Sequence, residues 1–423
     1  MQTIKRKRRV KKSVKVFAIV ACLLVIVFTA ITVVSFFYKN IVFWGEESVN
    51  ADAGKYMTNT CLAYYPEGTK KGKQVARDLC RDVDEKTIFD YSSEKMGDYT
   101  VYRYSNGTSF VTDANGNDPK LNENITERGQ AIISDYLRYT MKSMELDYAY
   151  TVAFLDDTYK DTITKDRYTY TLDGEYFVCH FDEYEVDVKI PLSVIGAELG
   201  MDVGEVKEYQ KPVYVSKNRP AIALTFDDGP SLDDECTTKL LDELYRYDAQ
   251  ATFFCVGRSL GPKTKLIIQD GIEKGMQYGS HTVSHPNLKR LSDTDTIYHE
   301  VMDISTWFEE ELNYTMSVYR PPEGAYNSTV DATVPLPAIL WDIDTEDWKS
   351  RDPDAIYKET FKDLFDHAVI LMHDIHKTTV EACVDKGIIR DLIDAGYQLV
   401  DIDTIAQLRG VELKQGTHLC WGD

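Results

Sequence analysis

From Ala221 onward short apolar runs recur with amphipathic stretches between them, and this alternation constrains the fold of the 423-residue chain more than any other feature. The runs cover 221–226, 251–256, 276–280, 317–319, 337–341, 369–372 and 398–400. Helical spacing fills most of the gaps, at 234–247, 263–274, 293–312, 354–367 and 379–395. Parallel neighbours cannot be joined by a tight turn, so strands that alternate with helices predict parallel pairing through right-handed crossovers. Seven such strands predict a barrel one short of the usual eight. In barrels of this kind functional groups collect at the C-terminal ends of the strands.

The residues after the runs are of that sort. Asp227 and Asp228 follow the first run, His281 and His285 the third, Arg320 the fourth, Asp342, Asp344 and Asp347 the fifth, and His373 and Asp374 the sixth. Adjacent carboxylates at the end of a buried strand resist joint ionisation unless a cation holds one of them. His281 and His285 stand at i and i+4, a spacing that predicts two imidazoles on one face of a helical turn. With Asp228 they form a two-histidine, one-carboxylate set, the donor pattern of a catalytic zinc that keeps a position for water. Iron, cobalt and nickel accept the same donors.

Five segments carry a family resemblance. Thr225-Phe226-Asp227-Asp228-Gly229-Pro230, Ser280-His281-Thr282-Val283-Ser284-His285-Pro286, Arg320-Pro321-Pro322-Glu323-Gly324, Asp344-Thr345-Glu346-Asp347-Trp348 and Leu371-Met372-His373-Asp374 resemble, in order, the motifs of the polysaccharide deacetylases. These are the family 4 carbohydrate esterases with the NodB homology domain. The resemblance spans 219–410 and implies a distorted (β/α)7 barrel with a divalent metal, zinc first and cobalt second. It implies that Asp228, His281 and His285 hold the metal, that Asp227 is the general base and that His373 is the general acid. Arg320 would pair with Asp227, and Asp347 would orient His373. The backbone N–H of Glu323 would face the oxyanion, Trp348 would wall the groove and Leu371 would help form the pocket for the acetyl methyl. The plain alternatives are a surface salt bridge for Arg320 and core packing for Trp348 and Leu371. The third motif departs from the pattern: Glu323 stands where Tyr is usual, and members acting on N-acetylmuramic acid also lack that Tyr. The fifth motif, with His373 followed by Asp374-Ile375-His376, is more similar to that of the N-acetylglucosamine enzymes.

Upstream, a basic segment (1–15) precedes an uncharged run (16–38) long enough to span a bilayer, which predicts a signal anchor with its N-terminus cytoplasmic and the rest outside the cell. Residues 1–39 hold nine Lys or Arg and no acid, leaving 39 basic against 69 acidic residues beyond. So acidic a body repels phosphate backbones and excludes nucleic acid as a partner. Of eight cysteines, Cys22 falls in the apolar run, no C-x-x-C occurs, Cys61 and Cys80 are the most local disulfide candidates, and Cys255 reads as core packing.

The remaining boundaries are a stalk or small subdomain (39–90), an α+β accessory domain (91–205), a linker (206–218), the deacetylase domain (219–410) and a tail (411–423). The accessory domain carries a predicted strand at 98–104, a helix at 126–144 with Ile133, Leu137, Met141 and Met144 on one stripe, and a hairpin about Asp173-Gly174. The anchor and external domain resemble the architecture of peptidoglycan N-acetylglucosamine deacetylases. The implied activity is metal-dependent hydrolysis of the acetamide C–N bond in cell-wall peptidoglycan, releasing acetate and leaving free amines that confer lysozyme resistance. The alternatives are N-acetylmuramic acid, chitin-like oligomers or another exported polysaccharide as substrate, or a non-catalytic glycan-binding protein on the same fold.

Overall fold

The computed structural model describes residues 53–419 apart from 59–60, 82, 84–86, 97, 124, 146–166, 174, 205 and 208. Among the described residues no helix is long and apolar enough to cross a membrane. The expected anchor at 16–38 and its basic flank lie outside them.

The described residues divide into two compact units. One holds residues up to 125 with 170–178 and 191–206; the other holds 126–169, 179–190 and 207 onward. In the first unit β1 (Gly54–Met57) pairs antiparallel with β2 (Cys61–Tyr65), which pairs parallel with β3 (Thr87–Phe89). A disulfide joins Cys61 at the start of β2 to Cys80, the C-cap of α1 (Lys70–Leu79). The polar stretch before residue 90 therefore contains a small stapled sheet. Three antiparallel strands follow, β4 (Tyr91–Met96), β5 (Tyr99–Tyr104) and β6 (Ser109–Thr112). Cross-strand rings stabilise them, with Tyr102 stacked on Phe110 at 5.0 Å.

Helix α2 (Glu127–Ser143) begins where the sequence predicts, because Thr126 accepts a hydrogen bond from the Gly129 N–H at 3.0 Å. Ile133, Leu137 and Met141 are buried, whereas Met144 is exposed beyond the helix end. The same helix also buries Arg138, which donates to the Tyr245 carbonyl at 3.0 Å, and Lys142 pairs with Asp248 at 2.8 Å. These polar ties place α2 in the second unit, with the residues from 207 on, and no hydrophobic period announces them. Strands β7 (Thr169–Asp173), β8 (Tyr176–Phe181) and β9 (Val186–Pro191) form a three-stranded sheet, its first two strands flanking the expected turn.

In the second unit the alternation appears as β10 (Ala221–Asp227), α3 (Cys236–Arg246), β11 (Thr252–Cys255), α4 (Pro262–Glu273), β12 (Gln277–Ser280), α5 (Thr294–Leu312), β13 (Ala338–Ile339), β14 (Ile343–Asp344), α6 (Pro353–Lys362), β15 (Val369–His373), α7 (Ile388–Asp394), β16 (Gln398–Leu399), α8 (Ile402–Arg409) and β17 (His418–Leu419). Parallel pairing runs β12-β11-β10-β15-β14, with β16 on the start of β10.

Four expectations need correction. Residues 317–319 form no strand; Tyr319 makes single parallel bridges to Ser280 and Ala338. The run 337–341 is interrupted, because the Ile339 and Leu340 carbonyls accept from the Arg320 guanidinium at 3.1 and 2.9 Å instead of continuing a ladder. The helix expected at 379–395 is broken by Gly387, whose φ of +88° is left-handed. The segment after 410 is likewise more than a tail, since β17 pairs parallel with β13.

Period-two alternation gives β10 two different faces. Ile222, Leu224 and Phe226 pack with Leu240, Leu241, Leu244 and Ile268 from the helices. Ala221 and Ala223 pack with Phe254, Val318, Ile339 and Val369. Thr225 and Asp227 continue this second row, so the face that is apolar at the start of the strand turns polar at its C-terminal end. Cys255 is buried in the first of these cores.

Candidate metal centre and acid–base site

Strand register brings the two ends of the chemistry together. Asp227 is the Cα partner of His373 across the β10–β15 ladder, and Thr225 is that of Leu371. Asp227 Oδ1 accepts from Arg320 Nη1 at 2.8 Å. Arg320 is 0% exposed, its Nη1 also donates to Thr225 Oγ1 at 2.8 Å, and its guanidinium lies 4.3 Å from the Phe254 ring centroid. A guanidinium so enclosed is not a surface salt bridge. It fixes the position of one carboxylate oxygen and leaves the other.

Asp228 points elsewhere because its φ is +74°. Its carboxylate faces both histidines, whereas Asp227 approaches only one of them, its Oδ2 lying 3.6 Å from His281 Nε2. Asp228 Oδ1 is buried with no hydrogen-bond partner, 3.5 Å from His285 Nε2 and 3.8 Å from His281 Nε2. Those separations are too long for hydrogen bonds. They approach the spacing of about 3.3–3.5 Å that neighbouring ligand atoms keep around a tetrahedral zinc with bonds of about 2.0–2.1 Å. His281 Nδ1 lies 2.9 Å from the Arg320 carbonyl, which can only accept, so Nδ1 carries the proton and Nε2 presents its lone pair. Burial lowers the His281 pKa and keeps the ring neutral. An orphaned carboxylate oxygen and an oriented imidazole fit a divalent cation, and all three ligand atoms lie within 4.8 Å of one another.

The two histidines do not share a helical turn. His281 follows β12, and residues 281–286 form a loop with positive φ at Thr282 (+67°) and His285 (+60°). Thr282 Oγ1 accepts from the His285 N–H at 3.1 Å. Glu300 of α5 holds the loop from outside: Ser284 N–H and Oγ donate to its carboxylate at 2.9 and 2.6 Å, and Val283 N–H donates to its carbonyl at 2.8 Å. The rings end 4.9 Å apart between centroids.

His373 Nδ1 donates to Asp347 Oδ1 at 2.8 Å, and the His373 N–H donates to Asp347 Oδ2 at 2.8 Å. Asp347 is fully buried and also accepts from Thr379 Oγ1 at 2.7 Å. Burial opposes charge on both partners, yet their hydrogen bond and mutual attraction win: the His373 pKa rises to about 9 and that of Asp347 falls. The imidazolium therefore persists at neutral pH. Its contribution to stability is complete below the ordinary histidine value of about 6.5 and is lost as pH rises through about 9. Asp347→Asn is expected to move the alkaline limb of the pH–rate profile from about 9 down toward 6.5. An unmoved limb would separate Asp347 from the titration.

Trp348 is 49% exposed, which excludes core packing for it, while Leu371 is buried beside Thr225. Glu323 sits in a left-handed turn at φ +59°, its Oε2 accepting from Asn287 Nδ2 at 2.6 Å. Asp342 and Asp344 serve the scaffold: Asp342 pairs with Arg409, and Asp344 accepts from the Glu346 N–H at 2.9 Å. Asp374 lies beneath the turn after β10, accepting from Thr237 Oγ1 at 2.5 Å, and burial raises its pKa to about 7. Residue 229 must be glycine there, since a Cβ would fall 2.2 Å from the Asp374 carboxylate oxygens. Glu300, Thr379, Asn287 and Thr237 escape sequence reasoning. Each acts on a motif residue distant in the chain, as Glu300 does on Ser284 across 16 positions, and no local pattern marks them.

The polysaccharide deacetylase family profile matches residues 214–335. The chain is 39% identical over 201 residues to the peptidoglycan-N-acetylglucosamine deacetylase PgdA of Listeria monocytogenes, covering 48% of this chain and 41% of that protein. It is 36% identical over 208 residues to the peptidoglycan-N-acetylmuramic acid deacetylase PdaC of Bacillus subtilis, covering 49% and 43%. Against a peptidoglycan-N-acetylglucosamine deacetylase of Bacillus cereus it is 32% identical over 195 residues, covering 45% of this chain and 70% of that one. The chain thus matches less than half the length of the first two relatives.

Proposed function

Because the chain belongs to the polysaccharide deacetylase family, we propose that it is a divalent-metal hydrolase, zinc first and cobalt second, that removes the acetyl group from N-acetylglucosamine in cell-wall peptidoglycan. The observation that carries this reading is the divergence of two adjacent acids: Asp227 faces Arg320 at 2.8 Å while Asp228 turns an unpartnered oxygen to two imidazoles.

A cation held by Asp228, His281 and His285 would supply an acidified water and a positive charge facing the acetamide carbonyl. Asp227, held at Oδ1 by Arg320, takes the water's proton at Oδ2. As the water oxygen bonds to the carbonyl carbon, the Glu323 N–H is our candidate donor to the oxyanion. His373, kept protonated by Asp347, gives its proton to the departing nitrogen, so that the C–N bond breaks to acetate and a free amine. Leu371 lines the pocket for the methyl group, and Trp348 offers an exposed aromatic wall to the sugar. The free amines left behind make the wall a poorer substrate for lysozyme.

We read the parallel ladder, extended by the bridges at Tyr319, as a distorted (β/α)7 barrel occupying 219–410 with β17 added. We also propose that 16–38 anchors the chain in the cell membrane, N-terminus inside, with both units facing the wall. The Cys61–Cys80 disulfide supports an oxidising, external compartment. The full chain in detergent, loaded with zinc or cobalt, is expected to release acetate from N-acetylglucosamine oligomers or peptidoglycan, and His281→Ala to lose both metal and acetate release. No acetate from any of several acetylated glycans, with metal confirmed bound, would sink the proposal.

A further inference from the structure

Glu323 is exposed, yet two anchors fix where its carboxylate sits. Its turn, Pro322–Gly324, begins two residues after Arg320, which holds Asp227. Its Oε2 is bound by Asn287 Nδ2 at 2.6 Å, and Asn287 follows His285 by two residues, no more than about 7 Å of backbone. Among the described residues no lysine or arginine pairs with Glu323, and the amide that binds it is neutral. A carboxylate is therefore held beside the acid–base site with no cationic partner among the described residues.

We infer that Glu323 is a specificity determinant that disfavours sugars bearing a carboxylate and so selects a neutral N-acetylhexosamine as the residue deacetylated. This rests on the deacetylase reading above. N-acetylmuramic acid differs from N-acetylglucosamine by an O-lactyl group, which is anionic wherever it is not amide-linked to a peptide. A glycan laid in the groove displaces water between that anion and Glu323, and a like-charge contact of this kind discriminates through repulsion. Asn287 holds the carboxylate, so it cannot swing away at no cost.

The test compares kcat/KM of the zinc-loaded full chain on glycan strands with free lactyl carboxylates and on the same strands with those groups amidated. The wild type is expected to favour the amidated strand about tenfold, and Glu323→Gln, which keeps the size and the Asn287 contact, to bring the ratio near one. A strand that is not turned over enters as an inhibitor of N-acetylglucosamine oligomer hydrolysis, its Ki read in the same way. If the variant does not fold, the wild type decides alone: raising ionic strength from about 0.02 to 0.5 M must shrink its ratio. An equal ratio in wild type and variant, or a salt-independent wild-type ratio, overturns the inference. Acetate release from neutral oligomers with an unaltered ratio defeats only this inference; no release at all defeats the deacetylase reading.

Discussion

Asp227→Asn is expected to lower kcat by about 10³-fold while leaving the metal content of the protein unchanged. In the proposed mechanism the substitution removes the proton acceptor and nothing from the ligand set, since Asp228, His281 and His285 are the three residues grouped to hold a cation. Asparagine is nearly isosteric, so its side-chain oxygen still accepts from Arg320, where the native distance is 2.8 Å. Elemental analysis of the purified variant beside an acetate-release assay separates the two effects. Loss of metal together with activity would mean that Asp227 is a ligand rather than a base. Activity within a few-fold of wild type would remove it from the chemistry.

Arg320→Met is expected to destabilise the second unit by about 3–5 kcal/mol, the cost of leaving one member of a buried ion pair without its partner. Methionine keeps an apolar stem against Phe254 but offers no donor. Asp227 then stays buried and charged, and the Ile339 and Leu340 carbonyls, now bound at 3.1 and 2.9 Å, lose their partners. For a unit of about 270 residues, 1 kcal/mol corresponds to roughly 2–3 °C, so thermal unfolding shifts down by about 10 °C. A melting temperature within about 2 °C of wild type would deny the guanidinium its structural part. A double-mutant cycle with Asp227→Asn isolates the pairwise share of the loss.

Much of the fold was legible in residue order. The helices expected from 126 and 293 are present, and Thr126 and Asp293 each cap the turn that follows. The longer strands β10, β11 and β15 read as apolar runs because both faces of each are buried. Less legible were the places where a polar group far along the chain overrides local preference. Arg320 draws two carbonyls out of strand pairing, Arg138 and Lys142 bind α2 to residues more than 100 positions later, and Glu300 holds the histidine loop in a form that helical spacing does not foresee. Each such tie depends on distance in space, which a sequence does not carry.

The sequence by itself determined the alternating α/β pattern and which side chains stand at the strand ends, because period-two burial and turn residues are local properties. It could not decide how two neighbouring aspartates divide their roles. That depended on a left-handed φ of +74° at Asp228 and on partners brought from elsewhere: Arg320, 93 positions beyond Asp227, and two imidazoles on a loop after β12. Identical carboxylates one residue apart differ in what the folded chain places against them, an arginine for one and a pair of imidazoles for the other.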